Sequence, residues 1–429
     1  MSIENDTFAI QRTKTVIIMT INLITFASLL HKQVSARSSH EFVLSELEKY
    51  FTVKLIDYQH IDQLSNDDFK IIFIATGGVE RTVIQCFEQL PRPAVILADG
   101  MQNSLAAALE ISTWLRARGM KSEILHGEAA TIIQRIQVLY SNFRAQRSLL
   151  GQRIGVIGTS SSWLIASNVD YLLAKRRWGI EYVDIPLERI YDVYDRIHNN
   201  EVGASCAAVA SQALACREGT PEDMLKAMRL YRAIKKICKE EGLNALTLSC
   251  FKLIERTGTT GCLALAMLND EGIIAGCEGD LQSVFTMLAA KVLTGQTGFM
   301  ANPSMINTRT NEVVLAHCTI GLKQTERYII RNHFETESGI GIQGILPTGD
   351  VTLIRCGGEC LDEYYLSTGT LTENTNYINM CRTQVRVKLN TPADYFLKNP
   401  LGNHHILLQG NYLETINEFL QANACKRTE

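Results

Sequence analysis

The sequence predicts an α/β chain: two doubly wound parallel-sheet domains, then a mixed α+β domain with an antiparallel, barrel-like part. Three observations carry this. Short apolar strands alternate with amphipathic helices from residue 15 to about 148. The alternation restarts with Gln152–Gly158, QRIGVIG. After about residue 245, strand-favouring segments follow one another with few helices between them. Strand–helix alternation argues for a parallel sheet covered on both faces, whereas consecutive strands separated by turns argue for antiparallel pairing. The boundaries fall at 1–149, 150–245 and 246–429.

In the first domain the strands are Val16–Thr20, Val53–Asp57, Lys70–Thr76, Ala94–Ala98 and Ser122–His126. Between them lie helices at Glu41–Tyr50, Val79–Gln89, Asn103–Arg118 and Ala130–Gln146. Residues 15–30, apolar after Lys14, resemble a signal-peptide core. They are too short and too interrupted by Thr20 and Asn22 to span a bilayer, and read as a buried first strand running into a loop. In the second domain a Ser-rich turn follows Gly158 and opens a helix through Leu173. The strand Ile180–Asp184, a helix to Ile197, an Ala/Cys-rich helix and a long helix Pro221–Glu241 complete it.

In the third domain helices Leu263–Asn269 and Leu281–Leu293 flank a CEGD turn. Strands follow at Glu312–His317, Tyr328–Phe334, Gly341–Leu346, Val351–Cys356 and Gln384–Leu389. Pro347-Thr348-Gly349-Asp350 reads as a hairpin turn between two of them. A last strand, Ile406–Gln409, leads to the helix Leu413–Ala422.

With 429 residues, 46% hydrophobic and 20% charged, the chain can bury a large core, which excludes global disorder. A net charge of −3 offers no basic footprint for a nucleic-acid partner, and no segment suits a membrane span. The twelve cysteines sit mostly in apolar runs, as small buried hydrophobes do. No CxxC pair occurs, and Cys356/Cys360 form one CxxxC without a second pair to complete a zinc site. A reduced, cytoplasmic location follows as the expectation.

The single literal GxGxxG, Gly339–Gly344, leads into a strand and a turn, so its glycines serve strand packing rather than a dinucleotide. Two other turns follow strands: Thr76-Gly77-Gly78-Val79-Glu80 and Gly158-Thr159-Ser160-Ser161-Ser162-Trp163. Backbone N–H groups at such turns can hold hydroxyl-rich ligands, which makes Gly77, Gly78, Ser161 and Trp163 candidate sugar contacts; ordinary strand-to-helix capping explains them equally well. Glu278 and Asp280 of CEGD either cap the following helix or contribute a carboxylate to a site. His317 ends an apolar strand and His404-His405 precede another. A carboxylate and imidazoles at the ends of separate elements can converge on a divalent cation.

ADGMQNSLAAALEI (98–111), GQRIGVIGTSSSWLIAS (151–167), CLALAMLNDEGIIAGCEGD (262–280), EVVLAHC (312–318), HFETESGIGIQG (333–344) and GNHHILLQG (402–410) occur in this order. Together they make the chain resemble the L-fucose and L-arabinose isomerases, especially their shorter relatives. The resemblance implies two α/β units and a catalytic domain, a divalent metal, usually manganese, and aldose–ketose interconversion of a small sugar through an enediol. It also implies a homo-oligomer, a trimer or hexamer. Carried residue by residue, it makes Glu278 an acid/base and metal ligand, His404 a metal ligand, with His405 the weaker match, and His317 a ligand or its neighbour.

The second acid of the family falls at Asn302, which can offer an amide oxygen to a metal but cannot accept a proton. No Asp or Glu occurs between Leu281 and Asn311 to replace it, and Asp280 is the nearest acid in sequence. The rival expectation is therefore a family member that kept the sugar site and lost the chemistry, acting as a sugar-binding or regulatory protein. A two-lobed sugar sensor is a weaker alternative, because such proteins lack the strand-rich third domain.

Overall fold

A computed structural model of the chain describes residues 19–28 and 36–429. The chain divides into two compact units, Met1–Phe143 and Arg144–Glu429.

In the first unit the strands are β1 (Met19–Phe26), β2 (Phe51–Asp57), β3 (Lys70–Ile74), β4 (Ala94–Leu97) and β5 (Ser122–Leu125). The start of the strand expected at Val16 lies outside the described residues. All pairs are parallel, in the order β2-β1-β3-β4-β5. The central strands are apolar on both sides, as a sheet covered on both faces requires. One face packs Leu23, Ile71 and Phe73 against Leu44, Ile132 and Ile136; the other packs Ile24, Ile72 and Ile96 against Ala107, Ile111 and Leu115. Thr76-Gly77-Gly78 leaves the carboxyl end of β3, beside the β1/β3 switch point where such sheets bind ligands.

The second unit contains β6 (Arg153–Ile157), β7 (Glu181–Ile185), β8 (Ala215–Cys216), β9 (Ala245–Leu248), β10 (Ile274–Cys277), β11 (Phe299–Asn307) and β12 (Glu312–His317). It continues with β13 (Arg327–Arg331), β14 (Gly341–Ile345), β15 (Gly349–Gly357), β16 (Glu363–Asn374), β17 (Thr383–Leu389), β18 (His405–Gln409) and β19 (Lys426–Arg427). β10-β9-β6-β7 form an open parallel sheet. Six antiparallel strands in the order β15-β18-β11-β12-β17-β16 close into a barrel through the β15–β16 pairing. β19 adds to β16, and β14-β13-β8 form a small separate sheet.

The helix Leu281–Thr294 ties sheet to barrel. Residues 281–290 are buried all round, because β9 and β10 lie against it on one side and β15 and β18 on the other. One hydrophobic core therefore runs from Ile154 and Leu246 through Phe285 to Leu353, Ile406 and Phe419.

Two local expectations need correction. The turn Pro347–Asp350 does not close a hairpin: β14 pairs with β13, β15 pairs with β16 and β18, and the turn carries the chain from one sheet to another. The Ser-rich turn after Gly158 does not open a helix directly, which begins at Tyr171 with Asp170 as its cap. Its polar groups are engaged with the CEGD turn instead.

Candidate metal centre

CEGD follows β10, at the carboxyl edge of the open sheet. Its two acids separate. Asp280 caps the helix Leu281–Thr294, accepting from the Ser283 N–H at 2.8 Å. Glu278 does not cap; it takes φ 63°, a left-handed conformation uncommon for a side chain-bearing residue. The turn after β6 holds it there. Ser161 N–H donates to the Glu278 carbonyl at 3.0 Å, Ser160 Oγ donates to the Gly279 carbonyl at 2.7 Å, and Trp163 Nε1 donates to Glu278 Oε2 at 2.8 Å. A Cβ at Gly279 would lie 2.6 Å from Ser160 Cα, so this close approach admits only glycine.

His317 ends β12 and His404 immediately precedes β18, both on the barrel and both buried. One ligand atom each from Glu278, His317 and His404 lies within 4.8 Å of the others. Glu278 Oε1 is 3.5 Å from His404 Nε2 and 3.8 Å from His317 Nε2. Burial alone would raise the Glu278 carboxyl, but the two imidazoles hold it well below the usual carboxylate range.

The histidines differ in what fixes them. His404 Nδ1 lies 2.9 Å from Asp280 Oδ2, and its Nε2 is buried without a hydrogen-bond partner. Burial disfavours charge on this ring, yet Asp280 and Glu278 push its pKa up to about 9. In His317, Nδ1 accepts the Thr319 N–H at 3.1 Å, which leaves the neutral ring's proton on Nε2, facing Glu278. For that Nε2 to bind a cation, the proton must move to Nδ1 and the Thr319 bond must open. Burial keeps His317 below its ordinary value despite Glu278. An orphaned imidazole nitrogen, a carboxylate and a second imidazole suit a borderline divalent cation, and the carboxylate behind His404 orients its ring in the usual way.

Asp280 is wholly buried with Arg355, whose Nη1 is 2.9 Å away. Arg355 also donates to Ser283 Oγ, to the His404 carbonyl at 3.1 Å, to Ser167 Oγ at 3.0 Å and to Gln282 Oε1 at 2.9 Å. A Cβ at Gly402 would fall 2.8 Å from its Nη2. Asp280 is thus committed to its neighbours and unavailable as a substitute proton carrier. Sequence reasoning missed Arg355, since RCGGEC carries no motif and burial of its guanidinium becomes visible only when sheet and barrel meet.

Asn302 lies on β11 and faces the same cavity as Glu278 and His317, together with Phe251, His333 and Glu335. Its Oδ1 accepts from Asn403 Nδ2 at 3.1 Å. His405 points the other way, into Tyr365, Tyr395 and Phe396, with Nε2 3.1 Å from Tyr395 Oη and burial lowering its pKa to about 3. The structure therefore gathers Glu278, Asn302, His317, His404, Ser161 and Trp163 in one region. Gly77 and Gly78 belong to the first unit, where the Gly77 N–H already donates to the Gln102 carbonyl at 2.8 Å. All twelve cysteines are free thiols, and Cys250, Cys262, Cys277 and Cys318 are buried around the cavity. Among the described residues no helix is long and apolar enough to cross a membrane.

No family model matches the chain. A stretch of 123 residues is 33% identical to the sulfoquinovose isomerase of Clostridium sp. (strain MSTE9), covering 28% of this chain and 28% of that protein. The sulfoquinovose isomerases of Priestia aryabhattai and Priestia megaterium (strain ATCC 12872 / QMB1551) are each 22% identical over 223 residues, 49% of this chain and 49% of theirs. The matches thus span about half or less of the length of these curated relatives. The chain is related, at low identity, to proteins that carry a sugar isomerase name.

Proposed function

We propose that this protein is a divalent-metal-dependent sugar isomerase that interconverts an aldose and a ketose through an enediol. The observation that carries the proposal is the convergence of Glu278, His317 and His404, with a buried, unpartnered Nε2 on His404. The relatives' names support the sugar class. Manganese is the metal of choice, with Glu278 and His404 as ligands, His317 beside them and Asn302 offering its amide oxygen.

When bound, the cation supplies positive charge against the oxyanion that develops beside the abstracted proton. The chain's own residues do the rest. Asp280 fixes the His404 tautomer so that Nε2 presents a lone pair. Trp163 and the β6 turn hold Glu278 in its left-handed turn. Trp163, perpendicular to Phe251 and half exposed, forms an apolar surface on which a sugar ring can rest. Homo-oligomer assembly and a cytoplasmic location belong to the same proposal.

Manganese titration calorimetry, coupled to an aldose panel that includes sulfoquinovose, tests this. Saturable 1:1 binding lost in Glu278→Gln, with ketose formed only in the presence of metal, is the expected result. Turnover unaffected by chelators or by Glu278→Gln would overturn it. Asn302 favours a second reading, a sugar-binding protein without turnover: that protein would bind metal and sugar but form no ketose.

A further inference from the structure

The cavity lined by Glu278, Asn302 and His317 contains a further carboxylate, in the HFETESG stretch, to which the sequence alone gives no role. Glu335 lies in the turn after β13, on the wall that also carries His333, and lines the cavity together with Glu278, Asn302 and His317. Among the described residues that line this cavity, Glu278 and Glu335 are the only acids. They differ in commitment. Glu278 is bonded to Trp163 and faces both imidazoles, whereas the Glu335 carboxylate has no hydrogen bond or ion pair among the described residues. It lines the cavity and is exposed to solvent. Burial, and after it the negative charge of Glu278, raise its pKa, as suits a group that must both take up and release a proton. Asp280 cannot serve, because Ser283, Arg355 and His404 occupy its oxygens.

We infer that Glu335 is the proton acceptor of the isomerisation, doing from the β13 turn what Asn302 on β11 cannot. The inference rests on the isomerase proposal above. In the step assigned to it, the Glu335 carboxylate takes the proton from C2 of the aldose. The C2–H electron pair becomes the C1–C2 double bond, and O1 takes a proton from a solvent water, leaving hydroxide. The Glu335 carboxyl then returns its proton to C1 while O2 gives its proton to that hydroxide, regenerating the water, and becomes the ketose carbonyl. The sugar gains and loses no atoms or electrons overall, and the regenerated water is the only co-reactant.

The test compares wild type, Glu335→Gln and Glu335→Asp in manganese-binding calorimetry and in ketose formation in D2O. Glu335→Gln should bind manganese within about twofold of wild type, because Glu335 is not a ligand. Its kcat should fall by about 10²–10⁴-fold, the usual contribution of a general base, with KM little changed. Glu335→Asp should recover part of the rate, and the acidic limb of the pH–rate profile should vanish only in Glu335→Gln. A kcat within threefold of wild type overturns the inference alone. A tenfold loss of manganese affinity also overturns it, since Glu335 would then be a ligand. A wild-type protein that binds manganese but forms ketose from no aldose overturns both the isomerase proposal and this inference.

Discussion

His404 Nδ1 sits 2.9 Å from Asp280 Oδ2, which joins the last histidine motif to the first acid motif across sheet and barrel. Asp280 in turn pairs with the buried Arg355, so one carboxylate both orients an imidazole and faces a guanidinium. The pairing explains why CEGD has two acids with separate duties, one facing the cavity and one behind it.

Removing the rear acid should damage the fold more than the site. Asp280→Asn leaves the Arg355 charge buried and uncompensated, and breaking a buried pair from one side typically costs about 3–5 kcal/mol. Urea unfolding of the metal-free variant checks this; a loss below about 1 kcal/mol would mean that Arg355 finds another counter-charge.

The two adjacent histidines should separate cleanly. His404→Ala is expected to weaken manganese binding by at least ~100-fold, the scale on which residues around a metal set its affinity. His405→Ala should leave affinity near wild type but lower stability by about 2–4 kcal/mol, as deletion of a packed ring does. Calorimetry and thermal unfolding on both variants decide, and a larger affinity loss at His405 would reverse the assignment.

A pH dependence follows from His404. Its folded pKa, about 9, lies above the ordinary imidazole value of 6.5, so the fold favours the protonated ring. The resulting stability is fully present below about pH 6.5 and is lost as pH rises through about 9. Metal-free protein should therefore lose stability over this window, and His404→Gln should lack that slope. Manganese, which must displace the same proton, should bind more tightly as pH rises through the same range. A flat profile for both quantities would contradict the Asp280–His404–Glu278 arrangement.

Asn302→Asp keeps the acceptor for Asn403 Nδ2 and adds a negative charge to the cavity. Manganese affinity should rise by roughly tenfold, since ionised oxygen is the better ligand for a hard cation. Turnover should rise as well, and should be partly restored in the Glu335→Gln background. Unchanged affinity in the single variant would place Asn302 out of reach of the metal.

Much of this architecture is written in local patterns. The alternation of apolar strands and amphipathic stretches marked both parallel sheets, and Thr220-Pro221 with Asp223 forms a capping box that starts the long helix at Pro221. Barrel closure was less legible. β16, EYYLSTGTLTEN, carries Ser, Thr and Gly through its middle, so its apolar signal is diluted, and without it β15 and β17 have no common neighbour. The hairpin expected at Pro347–Asp350 failed because a turn signal specifies a reversal of the chain, not which strand becomes the partner. Glu278, His317 and His404 stood out because each ends or begins an apolar run. Arg355 and Glu335 did not, because one looks like a strand residue and the other like a charged loop residue until the tertiary fold surrounds them.

The candidate ligands leave the chain in a fixed order: Glu278 from the open sheet, His317 from one barrel strand and, much later, His404 beside another. During synthesis no partial chain ending before His404 can present all three candidate ligands, so a cation held by all three, as proposed, would bind late. On the proposed function its arrival would be a completion step, possible only once the segment before β18 has joined β12 and the CEGD turn. If the site binds metal as proposed, capture would distinguish finished molecules from unfinished ones, and loading kinetics would serve as a readout of when the last strands join.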